Sequence, residues 1–291
     1  MGSLFRCLFS KSLEGVDQLE RWRNFITAWR DYPPQPGSMI GERYQVLQVL
    51  GIGSYGIASL CRDKLADCEV VVKLAKPSKK QPGKILLERE KEVLSLLDHP
   101  FIQRLRDYGE SKEGSWLVTD YVDGKTLEDL IFEEQRVIGE RECLHWTLML
   151  MDRVSHIHER GFVHLDLRIP NVIVQEQEIV VIDFGLARPI GGGQGRLWED
   201  GALSSMPPPR VPPFIQSDLS DIAHLMLYML YSSFHPDHGV QERTWEEELS
   251  LSIPMRKMLR RLLGLDETYA DTEAFITELR AAFKGLPGSP N

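Results

Sequence analysis

The sequence predicts an α+β protein in two parts, a β-rich first half followed by a helical second half. Three observations predict it. Short runs rich in Val and Leu, alternating in polarity, crowd into the stretch before residue 120. From Thr126 onward apolar residues recur at spacings of three and four. A Pro/Gly break, Tyr32-Pro-Pro-Gln-Pro-Gly-Ser38, sets a short N-terminal segment apart from both.

Before the break, Val16, Leu19, Trp22, Phe25/Ile26 and Trp29 lie on one stripe, so 13–30 reads as an amphipathic helix. That helix is expected to dock on the domain that follows or on a separate partner. Strands are expected at 43–50, 57–62, 69–75, 104–108 and 115–119, with one helix at 84–97. The second half should hold helices at 141–160, 217–231, 245–263 and 271–283, with short strands at 172–175 and 179–182. Residues 191–213, rich in Gly and Pro, read as a loop.

Composition narrows the function classes. The chain has 291 residues, 42% of them hydrophobic, and a formal net charge of −9. The acidic balance argues against a nucleic-acid binder. No window approaches the length of apolar sequence that a membrane helix needs. The first twelve residues do not make a convincing signal peptide. Gly2 is followed by Arg6 where a myristoylation motif wants Ser or Thr. A cytoplasmic location is therefore expected. The four cysteines, Cys7, Cys61, Cys68 and Cys143, form no CxxC pair, so thiol redox chemistry and zinc lack support. His156 and His158 are two apart on a helix and do not share a face, which makes both structural rather than a metal pair.

Four motifs carry chemistry. Gly51-Ile-Gly53-Ser54-Tyr-Gly56-Ile-Ala58 is a GxGxxG run. Dinucleotide-binding folds use this pattern between a strand and a helix; here it lies between two strands, as in a hairpin over phosphates. Val70-Val-Val-Lys73 ends an apolar strand on a lysine, which is costly unless the ammonium has a partner. His164-Leu165-Asp166-Leu-Arg168-Ile-Pro-Asn171 gathers an acid, a base and an amide on one loop. Val181-Ile-Asp183-Phe184-Gly185 places a carboxylate after an apolar strand, where it can reach a cation.

In this order and at these separations, the four motifs resemble those of the eukaryotic-like (Hanks-type) Ser/Thr protein kinases, in a short, soluble, bacterial-like form. The resemblance covers about 40–283. It implies a bilobal fold with a β-rich N-lobe, a helical C-lobe and an ATP cleft between them. The expected organisation is 1–38 for the helical extension and linker, 39–122 for the N-lobe and hinge, 123–285 for the C-lobe and 286–291 for a tail. It also implies roles. Gly51, Gly53, Ser54, Gly56 and Ala58 would cover the phosphates of ATP. Lys73 would contact them and pair with a helical glutamate, Glu90, with Glu88 and Glu92 as alternatives. Thr119 would be the gatekeeper, and the backbone of Asp120 and Val122 would meet the adenine edge. Asp166 would handle the substrate hydroxyl proton, Arg168 would neutralise the transferring phosphoryl, and Asn171 and Asp183 would bind Mg²⁺. Leu94, His164 and Phe184 would form an apolar column. Asp218, with Asp221 as a rival, would cap the backbone of the 164–171 loop.

Departures from the family pattern sharpen the expectation. Leu165 replaces the arginine that pairs with a phosphorylated loop residue, and a leucine cannot bind phosphate. Activity should then not need loop phosphorylation; the 191–213 loop offers only Ser204 and Ser205. The APE position reads Met206-Pro-Pro-Pro-Arg210, without a glutamate, and the arginine that would pair with it is also missing from 266–271. Losing both partners strands no buried charge. The expected activity is transfer of the γ-phosphate of Mg·ATP to Ser/Thr hydroxyls of a protein. The alternatives are a pseudokinase acting as a nucleotide-binding docking module and a small-molecule kinase. Phe184-Gly185 counts against the latter.

Overall fold

The computed structural model describes residues 31–111, 114–192, 198, 211–234 and 243–286. The expected helix at 13–30, Ser204, Ser205 and the 206–210 segment lie outside the described residues. Two compact units emerge.

The first unit comprises described residues 31–87 together with Asp107–Val118. It is built on a sheet of β1 (Met39–Ile40), β2 (Tyr44–Ile52), β3 (Gly56–Asp63), β4 (Cys68–Ala75), β5 (Leu105–Ser111) and β6 (Gly114–Asp120), the first four antiparallel in sequence. The strand order is β1-β2-β3-β4-β6-β5, so the chain leaves β4 through α1 (Lys80–Leu96) and returns two places away. Its strands alternate as the sequence suggests, and Ile40, Tyr44, Val46, Cys61, Val70, Val72 and Val118 close one apolar core. Two register shifts in the β2–β3 pair, at Val46/Gln48 and Val49/Gly51, mark bulges just before the glycine turn. The division between the units falls inside α1, after Leu87.

The second unit comprises Glu88–Arg106 and the described residues from Thr119 onward. Its centre is α2 (Glu140–Glu159), α3 (Ile215–Tyr231), α5 (Ile253–Leu262) and α6 (Thr272–Gly285), with the short α4 (Trp245–Glu248) between α3 and α5. Leu144, Leu150, Met151, Val154 and Ile157 form the buried stripe of α2, and Leu219, Ile222, Met226 and Met229 that of α3. Helix α2 begins with Glu140 and Glu142 in its first turn, favourable to the helix dipole, and stops at Gly161, whose φ of 83° suits glycine. A three-stranded sheet of β7 (Lys125–Thr126), β9 (Val172–Gln175) and β10 (Glu178–Val181) and a pair of β8 (Phe162–Val163) with β11 (Arg188–Pro189) frame the loops that follow.

One expectation needs correction. The helix expected over 245–263 is two helices. Leu249–Leu251 leave the helical path, Ser252 caps α5 by accepting from the Met255 N–H, and Pro254 occupies the first turn, where its missing N–H costs nothing.

Candidate active site

In the first unit, β2 and β3 meet at the glycine turn. Gly51 pairs with Ala58 and Ile52 with Ile57, and the Gly53 N–H closes the turn on the Gly56 carbonyl at 2.9 Å. Ser54 is exposed at the tip. The glycines serve different ends. A Cβ on Gly56 would stand 3.1 Å from the Leu74 carbonyl oxygen, so the neighbouring strand demands glycine there. A Cβ on Gly51 would meet nothing within 4 Å, and one on Gly53 only the Gly56 carbonyl at 3.6 Å. Neither has a left-handed backbone. Nothing among the described residues needs glycine at 51 or 53; what glycine does there is leave the backbone open to close approach from outside. Ala58 also pairs with Lys73 on β4, so Gly51, Ala58 and Lys73 form one row across three strands. Directly opposed residues share a sheet face, which puts the small Ala58 side chain beside that of Lys73.

In the second unit, the loop between β8 and β9 carries Asp166, and a buried carboxylate fixes its backbone. Asp218, in the first turn of α3 and fully buried, accepts from the His164 N–H through Oδ2 at 2.9 Å and from the Leu165 N–H through Oδ1 at 2.8 Å. His158 Nε2 donates to the same Oδ2 at 2.9 Å, while its Nδ1 accepts from the Thr272 hydroxyl at 2.7 Å. The tautomer is assigned from these partners. Of the two candidates, Asp218 holds two N–H groups and Asp221 holds one, that of Leu167 at 3.3 Å. Burial, then the neighbouring Asp218 charge, push the Asp221 carboxyl up to about 6.

His164 is itself a strut. Its Nε2 donates to the Ile182 carbonyl at 3.2 Å and its Nδ1 accepts from the Asp166 N–H at 3.3 Å. Burial lowers its tendency to charge, in keeping with a neutral ring that donates on one side and accepts on the other. The ring meets Phe184 edge-on, centroids 4.7 Å apart. Phe184 and Leu94 are both buried.

Asp166 is gripped on both carboxylate oxygens. Arg168 Nε lies 2.5 Å from Oδ1 and Nη2 donates to Oδ2 at 2.9 Å. Asn171 Nδ2 donates to Oδ2 at 2.8 Å and to the Asp166 carbonyl at 2.9 Å. The Arg168 side chain is 64% exposed and that of Asp166 14%. Beyond β10, Asp183 accepts from the Gly185 N–H through Oδ1 at 3.2 Å, and its own N–H donates to Gln103 Oε1 at 3.3 Å. Leu165 (φ 61°) and Asp183 (φ 64°) both hold left-handed backbone, a strain of the kind that marks functional loops.

The three glutamates of α1 separate. Glu90 is buried, and its Oε2 would lie 3.7 Å from a Cβ on Gly185. Glu88 is half-buried. Glu92 accepts from the indole N–H of Trp198 at 3.2 Å. At the end of β6, Thr119 is fully buried and its hydroxyl has no hydrogen-bond partner among the described residues. Asp120 gives its backbone N–H to the Arg104 carbonyl at 3.0 Å, and its carbonyl accepts from Gln103 Nε2 at 3.5 Å. Val122 follows the strand and is half-buried. Sequence reasoning missed two residues. His158, taken as structural, supports the catalytic loop through Asp218. Trp198 drew no notice, because nothing local marks a loop tryptophan as a partner for a helix about a hundred residues earlier.

A family model described as the protein kinase domain matches residues 44–221. Among curated proteins, the chain is 28% identical over 260 residues to the probable serine/threonine-protein kinase YbdM of Bacillus subtilis (strain 168), covering 88% of this chain and 95% of YbdM. It is 30% identical over 154 residues to the serine/threonine-protein kinase PrkC of the same organism, covering 52% of this chain and 24% of PrkC. It is 29% identical over 164 residues to the human serine/threonine-protein kinase Nek11, covering 54% of this chain and 25% of Nek11. The chain therefore spans about a quarter of the length of these last two. Among solved structures, the Mycobacterium tuberculosis PknI kinase domain matches with a TM-score of 0.62 at 20% identity, covering 86% of this chain and 99% of that one, a likeness of fold. With its motifs, its catalytic-loop geometry and a family model over more than half its length in agreement, the chain belongs to the protein kinase family.

Proposed function

We propose that the chain transfers the γ-phosphate of Mg·ATP to Ser and Thr hydroxyls of a protein, and does so without phosphorylation of its own 191–213 loop. The observation that carries this reading is the Asp166 carboxylate, fixed by Asn171 and Arg168 on a backbone that Asp218 holds rigid. A carboxylate so placed can orient a hydroxyl and take its proton. Transfer then consists of positioning and charge stabilisation. Arg168, exposed at its head, would leave Asp166 for the transferring phosphoryl, freeing the carboxylate as the hydroxyl arrives.

The other residues fit the reading. Gly51 and Gly53 leave open the space that a triphosphate would use, with Ser54 and Gly56 completing the turn, Ala58 under the adenine and Lys73 on the phosphates. Glu90 is the buried acid that would hold Lys73. The unpartnered Thr119 hydroxyl, with the backbone of Asp120 and Val122, would line the adenine site. Asp183 and Asn171 would hold Mg²⁺; they offer hard oxygen donors, and Mg²⁺ takes one or two such groups and completes its shell from phosphates and water. Once bound, the ion would neutralise charge on the β- and γ-phosphates. Independence from loop phosphorylation rests on Leu165, a buried apolar side chain with no group to receive a phosphate. ATP points to a cytoplasmic setting, and no helix among the described residues is long and apolar enough to cross a membrane.

The test uses phosphatase-treated full chain with Mg²⁺, γ-labelled ATP, and a generic basic protein as acceptor. The expected result is labelled phosphoserine or phosphothreonine, formed without a lag. A lag that vanishes after autophosphorylation would overturn independence. Absence of label on any protein would overturn the transfer.

A further inference from the structure

We infer that Trp198 is a positioning residue that fixes α1, and with it Glu90, against the catalytic loop, supplying through a neutral side chain the tie that Leu165 cannot make to a loop phosphate. The inference rests on the kinase reading of the site and names a residue that reading does not use.

Trp198 is 7% exposed. It touches the helix at two points. Its indole N–H donates to Glu92 Oε1 at 3.2 Å, and its ring lies under the Arg89 guanidinium, 5.4 Å from centroid to Cζ. Arg89 is itself only 2% exposed, so this contact between cation and ring works away from water, where it is strongest. Arg89 and Glu92 are three apart and share a face of α1. Glu90 lies one residue from Arg89, about 100° around the axis. Any rotation or slide of α1 that moved Glu90 away from Gly185 would carry Arg89 and Glu92 off the indole.

On its other side Trp198 meets Phe162, centroids 6.3 Å apart. Phe162 is in β8, which runs straight into His164 and Asp166 and pairs through Pro189 with the strand after Gly185. One side chain thus joins the helix that bears Glu90 to the strand that feeds the catalytic loop. Two features make this a directed tie rather than filler. The indole N–H is satisfied by a charged acceptor, a bond worth more than a neutral one. The residue next to the catalytic aspartate, Leu165, is buried and apolar. The position next to the catalytic aspartate therefore offers no cation through which a phosphorylated residue could make the same tie.

The test measures kcat and KM for ATP in Trp198→Phe, Glu92→Ala, Glu92→Gln and the double variant Trp198→Phe/Glu92→Ala, with thermal unfolding as a check of folding. Trp198→Phe keeps an aromatic ring and removes the N–H together with part of the indole, so Glu92→Ala, which leaves the indole whole, isolates the bond. Loss of a hydrogen bond to a charged group should lower kcat about tenfold in Trp198→Phe and in Glu92→Ala. The double variant should be no worse than either single one, because both remove the same bond. Glu92→Gln, which keeps an acceptor oxygen, should restore most of the rate. Hydrogen exchange of the amides of 88–96, measured without ATP, should rise in Trp198→Phe while that of α2 and α3 stays put. Unchanged kcat in folded single variants, losses that multiply in the double variant, or unchanged exchange in α1 would each overturn the inference. The exchange result stands apart from catalysis. If the wild type transfers no phosphate, the kinase reading fails while the tie between Trp198 and α1 is still decided.

Discussion

The glycine turn and the catalytic loop differ in how firmly the protein holds them. The turn at 53–56 is closed by one backbone hydrogen bond, and Gly51 and Gly53 face open space. In the 164–171 loop, by contrast, Asp218, Asp221 and the His164 ring hold four successive N–H groups, and Asn171 and Arg168 hold the side chain of Asp166. The contrast teaches where precision is spent. A group that must meet a hydroxyl proton within a few tenths of an ångström is preorganised by buried partners. A cover that must admit and release a nucleotide is left to be ordered by the nucleotide. Loss of the buried partners that hold the loop should therefore damage the fold even without ligand. Those at Gly51 should be silent until ATP is present.

The largest effect is expected at Asp218. Asp218→Ala leaves the His164 and Leu165 N–H groups and His158 without their acceptor, at a cost of about 3–5 kcal/mol for breaking a buried charged network. Thermal unfolding should fall by roughly 10 °C, with activity lost. A variant that unfolds at the wild-type temperature would show that the carboxylate does not organise the loop. Next comes Arg168→Ala, which removes the charge meant for the transferring phosphoryl. It should lower kcat on the order of 10²-fold, with unfolding unchanged because the side chain is exposed. Arg168→Lys should recover part of the loss. Equal kcat in all three would remove Arg168 from the mechanism.

A smaller effect concerns pH. The Asp221 carboxyl rises from 3.8 to about 6 in the folded chain. Between these values the folded state binds more proton than the unfolded one, so stability from this group falls as pH rises from 4 to 6. Above that window the penalty is constant, at most about 3 kcal/mol before any allowance for solvent. Asp221→Asn, which still accepts from the Leu167 N–H, should be more stable than wild type at pH 7 and lose the advantage near pH 4. Urea titrations at both pH values check this, and an advantage that does not shrink toward pH 4 would contradict it. The smallest effects separate the glycines. Gly56→Ala should cost about 1 kcal/mol through its contact with the Leu74 carbonyl. Gly51→Ala should change folding by less than about 0.5 kcal/mol, yet raise the KM for ATP severalfold. Equal stability losses in the two variants would erase the distinction between the two glycines.

Much of this was legible in the sequence, and the parts that were not have physical reasons. The spacing of Gly51, Lys73, Asp166, Asn171 and Asp183 carries chemistry that few other side chains can perform, so it survives in the sequence as motifs. The choice between Asp218 and Asp221 was open because both lie in the first turns of one helix, and only burial and distance tell them apart. Glu90 among its neighbours was likewise a question of which face of α1 is covered. The break between α4 and α5 could have been seen, since Ser252-Ile-Pro254 is a helix start written in plain residues. The roles of His158 and Trp198 could not, because each depends on a partner 60 or 106 positions away.

The most direct measurement is phosphoryl transfer from labelled ATP by the wild type beside Asp166→Ala, with binding of an ATP analogue and thermal unfolding recorded for both. The account predicts that the variant folds and binds the analogue as the wild type does, while transfer to Ser or Thr falls roughly 10²–10⁴-fold. Transfer that survives the substitution in a folded, nucleotide-binding variant would contradict the assignment of Asp166, and with it the mechanism built on the 164–171 loop.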